Sequence, residues 1–295
     1  MRFPWKAHLA IFLANFIYGA NYSIAKEVMP AFFKPFGLIL LRVSGAVLLF
    51  FFLFVGSKQK VDRKDIGRLI LCGLTGVAIN QLFFFKGLSM TTPIEASIIL
   101  TSNPLMVLIA SAIIAKERIT PIKLGGIALG MAGAIILILQ RPVIPVANYS
   151  IWGNFLILIN AASYGVYLVL VRPLMRKYKV STVMTWVFGI GLIFVFPVGI
   201  SEASEINWGE IPLWAFGALA FIIVGTTFLA YLFNAYGLSQ VSASVVSSYI
   251  YFQPFLAAMI AIAWGKDYLD GGKLISAALI FTGVYLISKP KKQIN

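Results

Sequence analysis

One cysteine and one histidine stand in 295 residues, and the scarcity of both closes off several kinds of chemistry. A single thiol, Cys72, can build neither a disulfide framework nor a cysteine-based zinc site. It reads as a small side chain buried in an apolar run. His8 sits alone at the edge of the first apolar run and reads as an interface residue. Asp and Glu together number 10, and no two of them share an apolar run, so paired carboxylates for acid–base catalysis are missing. No Walker-type phosphate loop occurs, which excludes ATP-driven transport within this chain. The chain is not expected to be an enzyme, and neither a metal nor another cofactor is expected.

Charge is scarce too. Charged residues make up 12% of the chain and hydrophobic ones 60%, against about 25% charged in soluble domains; the mean hydropathy is +0.91. One globule cannot hide so much apolar surface, so lipid is the expected solvent. A spanning helix needs about 20 mostly apolar residues. Ten such runs are present: Ala7–Met29, Phe36–Val55, Ile66–Phe85, Pro93–Ala115, Ile122–Leu139, Ile151–Val171, Val183–Ile200, Pro212–Phe233, Val241–Trp264 and Lys273–Ser288. They lack the period-two alternation of barrel strands. The first run lacks an Ala-x-Ala-like cleavage site and is interrupted by Asn15, Tyr18 and Asn21, so an uncleaved first span is expected. The fold class expected is an all-α integral membrane protein of ten transmembrane helices.

The formal net charge of +14 is a matter of placement. Assigning Lys and Arg to alternate sides of ten spans puts 17 on one side and 6 on the other, with Arg42 inside span 2. The positive-inside rule then places both termini in the cytoplasm. Such a distribution suits a multi-pass protein of the inner, cytoplasmic membrane, attracted to anionic lipid, and not a nucleic-acid binder.

Two phrases recur. "GLSMTTPIEASIILTSNP" ends at Pro104 and "GLSQVSASVVSSYIYFQP" at Pro254, 150 residues later. The ungapped match runs from Gly87–Ile138 to Gly237–Ser288, and upstream, at a register of 146, "YGANYSIAK" faces "YGVYLVLVR". Spans 1–5 (residues 1–140) thus repeat as spans 6–10 (151–288). Five is odd, so the second unit runs through the membrane in the opposite sense. Inverted repeats are the signature of secondary transporters, with substrate held near the midplane between the units.

The "YG…Y…K" end of span 1 and its Tyr/Arg counterpart, the "NP" inside span 4, and "KERITPIKLGGIALGMAGAIILI" with its second copy "KDYLDGGKLISAALIFTGVYLI" carry a resemblance. The chain resembles the EamA-type transporters of the drug/metabolite transporter superfamily over essentially its whole length. Asp267 replaces the usual Glu of that pattern. The resemblance implies ten helices in two five-helix repeats and transport of a solute, without specifying which.

Polar side chains within spans are expensive and usually face a cavity or another helix. They fall on single helical faces: Asn15, Tyr18 and Tyr22 in span 1, with Lys26 continuing; Asn160, Tyr164 and Tyr167 in span 6; Asn80, Phe84 and Gly87 in span 3; Thr227, Tyr231 and Asn234 in span 8; Ser97, Thr101 and Pro104 in span 4; Ser247, Tyr251 and Pro254 in span 9. Asn103 and Gln253 precede the two prolines. The functional reading is a substrate pocket of Asn15, Tyr18, Tyr22, Asn80, Phe84, Thr101, Asn103, Tyr164, Tyr167, Tyr231, Asn234, Ser247, Tyr251 and Gln253. The competing reading is hydrogen-bonded helix–helix glue. Pro104 and Pro254 each remove a backbone donor and free a carbonyl four residues back, so both are expected to bend gate helices. Four charges are candidates for coupling. Lys26 and Arg172 either snorkel to headgroups or face a solute carboxylate; Arg42 and Glu95 either pair, or Glu95 carries a proton. Gly126 and Gly130 in span 5 form a small-xxx-small pair for close packing, within one chain or between two.

The function expected is secondary transport, read as export, of small metabolites such as amino acids or related amphipathic compounds, by alternating access. A passive channel and an intramembrane enzyme are the alternatives. The expected partners are the small-molecule substrate and the lipid bilayer, the protein acting as monomer or homodimer.

Overall fold

A computed structural model of the chain describes residues 4–29, 31–56, 59–91, 93–139, 151–263 and 270–288. The side chains of Tyr22, Lys26, Glu95 and Ser97, and residues Lys266 and Asp267, lie outside the described set. Among the described residues the structure is helical, without strands. We number the helices α1 (Trp5–Val28), α2 (Pro35–Val55), α3 (Arg63–Leu88), α4 (Pro93–Leu100), α5 (Asn103–Ile114), α6 (Pro121–Leu139), α7 (Ile151–Lys177), α8 (Val180–Ser204), α9 (Leu213–Gln240), α10 (Ala243–Ser248), α11 (Phe252–Ala263) and α12 (Gly271–Ser288). Six of them, α2, α3, α7, α8, α9 and α12, are long and apolar enough to cross a membrane, and shorter apolar helices accompany them.

Many large apolar side chains lie on the outside of the molecule, and a set of polar ones is buried within an apolar core. Phe52, Ile113, Ile193, Leu213 and Tyr285 are exposed, while Asn15, Arg42, Gln81, Asn103, Asn160, Thr226, Thr227 and Asn234 are buried. Large apolar side chains exposed in such number mark contact with lipid.

Local chemistry fixes the helix ends. Pro35 opens α2 at a position where a missing N–H costs nothing. The Glu202 carboxylate accepts from the next two backbone donors, Phe36 N–H at 2.6 Å and Gly37 N–H at 3.0 Å, satisfying orphan groups at the positive end of the helix dipole. Lys34 pairs with Glu205 beside them, and that contact raises the Lys34 pKa. Ser242 caps α10 by accepting from Val245 N–H. Asp270 does the same for α12 from Lys273 N–H at 2.9 Å, and its other oxygen takes the Lys273 ammonium at 2.6 Å.

Helix contacts come in reciprocal pairs. α3 packs on α7 as α9 packs on α1; α5 packs on α7 as α11 packs on α1; α2 meets the middle of α9 as α8 meets the middle of α3. The two remaining large contacts, α2 with α8 and α6 with α12, join equivalent helices. The α6–α12 contact is made by glycines. A Cβ on Gly283 would lie 2.5 Å from the Gly126 carbonyl oxygen and 2.7 Å from the Gly130 nitrogen, so the backbones touch. The glycine pair of span 5 therefore packs within the chain.

Two irregularities interrupt the helices near the centre of the bundle. α3 and α9 each contain a π-helical segment, Leu74–Ile79 and Phe221–Leu229, at equivalent places in the 150-residue register. The two runs that end in a proline are broken into shorter helices. Thr101 and Ser102 form a turn between α4 and α5, their N–H groups bonding three residues back to Ile98 and Ile99, and Pro104 stands in the first turn of α5. A 3-10 turn, Tyr249–Tyr251, separates α10 from α11, which carries Pro254 in its first turn.

Candidate functional site

The π segments shape the centre of the bundle. A π turn spaces its hydrogen bonds five residues apart and is frequent at functional sites. In α9 it places both Thr226 and Thr227 so that their hydroxyls donate to the Ile222 carbonyl, at 2.6 and 2.8 Å. Thr227 Oγ1 then accepts from Arg42 Nε at 2.9 Å, a bond from α2 buried inside the protein. The Arg42 guanidinium lies over the Phe85 ring of α3, 5.7 Å from its centre. In α3 the π segment holds Gly76 directly under the Tyr167 ring, and the Tyr167 hydroxyl reaches Met184 Sδ at 3.9 Å.

Around these groups a tyrosine cluster closes. Tyr18 of α1 and Tyr231 of α9 meet edge to face at 6.4 Å between ring centres, Phe188 of α8 meets Tyr231 at 4.9 Å, and Tyr164 and Tyr167 of α7 lie 6.2 Å apart. Tyr164, Tyr167, Leu168, Tyr231, Asn234, Ala235 and Leu238 line a cavity of about 10 Å³, room for about one water molecule. The Asn234 carboxamide oxygen is buried there without a hydrogen-bond partner. The Gln81 carboxamide lies against Tyr231, within reach of its hydroxyl.

Of the expected pocket residues, the structure brings Tyr18, Tyr164, Tyr167, Tyr231 and Asn234 together with Arg42. Others are occupied elsewhere. Asn15 Oδ1 accepts from Gln253 Nε2 at 2.8 Å, and Asn15 Nδ2 donates to the Ile11 carbonyl, so these two amides tie α1 to α11. The Asn80 backbone carbonyl accepts from Asn160 Nδ2 at 2.6 Å. Thr101 and Ser247 return their hydroxyls to backbone carbonyls of Ile98 and Ser244. Tyr251 is fully buried and donates to the Ile127 carbonyl of α6 at 3.2 Å, with its ring over Gly130. Phe84 packs on Phe85. Asn103 is buried beside Pro104 with its Oδ1 unpartnered. Arg172 reaches the Glu117 carboxylate at 3.1 Å, and Lys123 the same group at 3.5 Å, joining the ends of α7, α5 and α6. Tyr22, Lys26 and Glu95 fall outside the described side chains.

Gln81, Phe85, Gly76, Phe188 and Thr227's link to Arg42 are absent from a reading by helical stripes. One signal was available for Gln81. In the 150-residue register it is the counterpart of Tyr231, and the two meet at the centre.

The chain is similar to known proteins along nearly its whole length. The model of the EamA-like transporter family matches residues 5–139 and again 151–289. An uncharacterized transporter of Bacillus subtilis, YyaM, is 27% identical over 274 residues, 92% of this chain and 89% of its own. A chloroplastic WAT1-related protein of Arabidopsis thaliana is 24% identical over 284 residues, 94% of this chain and 68% of its own. A probable terminal-alkyne amino-acid exporter of Streptantibioticus cattleyicolor is 22% identical over 226 residues, 77% of this chain and 74% of its own. One solved crystal structure superposes with a TM-score of 0.76 over 95% of each chain at 19% identity, a likeness of fold. With its apolar exterior and helices of spanning length, this is a multi-pass membrane protein. The chain belongs to the EamA-like transporter family.

Proposed function

We propose that the protein is a secondary transporter that exports small metabolites, amino acids or related amphipathic compounds, across the inner membrane by alternating access. Ten spans form two inverted five-helix units with both termini in the cytoplasm. The observation that carries this reading is the central cluster. Tyr18 and Gln81 come from the first unit and Tyr164, Tyr167, Tyr231 and Asn234 from the second; Tyr18 and Gln81 meet Tyr231 beside a small cavity lined by the second-unit residues. The reciprocal helix contacts support the two-unit plan, because equivalent surfaces allow the pocket to open toward either face. The amino-acid exporter among the relatives supports the substrate class, as does a pocket with an aromatic wall and few polar groups.

In this reading the Arg172–Glu117 pair closes the cytoplasmic side. The helix breaks before Pro104 and Pro254 let one end of each gate helix move while the other stays packed. The test is counterflow: purified protein in liposomes loaded with an unlabelled amino acid should accumulate its labelled form transiently, with saturation. Flux that is linear in concentration, with no counterflow, contradicts alternating access.

A further inference from the structure

Among the described residues two cationic residues are less than a tenth exposed, Lys273 at 8% and Arg42 at 7%. Lys273 has the Asp270 carboxylate at 2.6 Å. Arg42 has no carboxylate partner among the described residues. Its single hydrogen bond there runs from Nε to Thr227, and its neighbours within electrostatic reach are Tyr18 and Tyr231. A guanidinium carries five N–H donors and keeps its proton in proteins, so the four donors of the terminal nitrogens have no hydrogen-bond partner among the described residues while the charge persists.

A buried ion with no carboxylate beside it among the described residues is costly, and within a membrane-spanning bundle such an ion points to a solute path. The cation is also one-sided. In the register that aligns Tyr18 with Tyr164, position 42 corresponds to Phe188, whose ring packs on Tyr231. One flank of the tyrosine cluster is therefore cationic and the equivalent flank apolar, which fits a solute with an anionic head and an apolar body.

We propose that Arg42 is the anion-binding subsite of this pocket, and that the transported solute presents a carboxylate to its terminal nitrogens as a bidentate pair. The inference rests on the proposal that the cluster is the transport pocket. A monoanion balances one guanidinium; a phosphate dianion would leave net charge buried, so the carboxylate is the better match.

The test uses matched pairs on the full-length purified protein: L-phenylalanine with L-phenylalaninamide, L-leucine with L-leucinamide, and phenylacetate with phenylacetamide. The acid of at least one pair should raise the thermal midpoint while its amide does not. Arg42→Gln should weaken the acid's apparent affinity about ten- to a hundredfold, the loss expected for a charged hydrogen-bonded group. Arg42→Lys keeps the charge without the fork and should retain part of the effect; it reads the same comparison if Arg42→Gln does not fold. Without solute, Arg42→Met should melt at or above the wild-type temperature, because an uncompensated charge has been removed. Acids and amides acting alike, no acid acting, or Arg42→Met melting well below wild type each overturns the assignment. Counterflow separates this from the transport reading. Amides exchanging as fast as acids defeat the Arg42 subsite alone, whereas midpoint shifts without counterflow of any of the six defeat the transport reading.

Discussion

Gly76→Ala is the sharpest perturbation the central cluster offers. A Cβ on Gly76 would lie 2.3, 2.5 and 2.7 Å from Cδ2, Cγ and Cε2 of Tyr167. Ordinary contact begins near 3.4 Å, so the ring must retreat by about 1 Å to reach ordinary packing. Rotation about the ring axis does not help, since Cγ lies on that axis. The whole side chain must shift, and its neighbours beyond the ring leave a cavity of only about 10 Å³. Overpacking of this kind costs about 1–3 kcal/mol, roughly a 5- to 150-fold change in the folding equilibrium at about 1.4 kcal/mol per tenfold. The thermal midpoint of Gly76→Ala should fall, and flux should fall further than the loss of folded protein explains, because the displaced ring fills the pocket. Tyr167→Leu in the same chain should relieve the clash, giving a coupling of about 0.5–3 kcal/mol in a double-mutant cycle. A Gly76→Ala protein as stable and active as wild type, or strictly additive effects in the double mutant, would refute the placement of Tyr167 over the π segment.

Other outcomes come from the same geometry. Gly283→Ala should destabilise, because its Cβ meets the backbone of Gly126 and Gly130 and backbone cannot step aside; Gly125→Ala, with nothing within 4 Å, should be neutral or slightly stabilising in the same melting assay. Glu117→Gln removes the shared carboxylate of Arg172 and Lys123 and should raise labelling of cysteines placed at the ends of α5 and α7 that this carboxylate joins; unchanged labelling contradicts the proposed gate. The Lys177 ammonium, 2.5 Å away, holds the Asp62 carboxyl below its usual pKa. A depressed folded-state pKa contributes stability above the unfolded value, about 3.9, and loses it as pH falls through the folded one. The difference between wild type and Asp62→Asn should therefore be present at pH 7, small because the pair is exposed, and vanish on acidification; a difference that grows in acid has the wrong sign. Pro104→Ala and Pro254→Ala should slow flux and alter cysteine accessibility on opposite membrane faces, and equal effects on one face would defeat a two-gate scheme.

The helices were legible because apolar runs of spanning length have few other uses. The run Ile66–Phe85 lies within α3, and Ile151–Val171 within α7. The central cluster was legible in part: Tyr18, Tyr164, Tyr167, Tyr231 and Asn234 lie on faces that a period of 3.6 picks out. In α3 that period chose Asn80 and Phe84, whereas the buried positions against Tyr231 and Arg42 are Gln81 and Phe85. The π segment just before them widens the turn and shifts the inward face by a residue, and no local pattern in "LTGVAI" announces it. Tyr251 illustrates the other limit. Its spacing matched the pocket stripe, but its ring lies over Gly130 on another helix, a tertiary choice that periodicity cannot see. Arg42 stood out as an ion in an apolar run; that its partners are a threonine and aromatic rings required the fold.

The central claim is that one pocket, lined by the tyrosine cluster, faces each side of the membrane in turn. Ala235 lines that pocket, and Cys72 is the sole native cysteine. The direct measurement is therefore labelling of Ala235→Cys, in a Cys72→Ser background, by an impermeant thiol reagent applied from one side or the other of oriented liposomes. The account predicts modification from both sides, with a saturating transported amino acid protecting the thiol from both. Modification from one side only, under every solute condition, would contradict it.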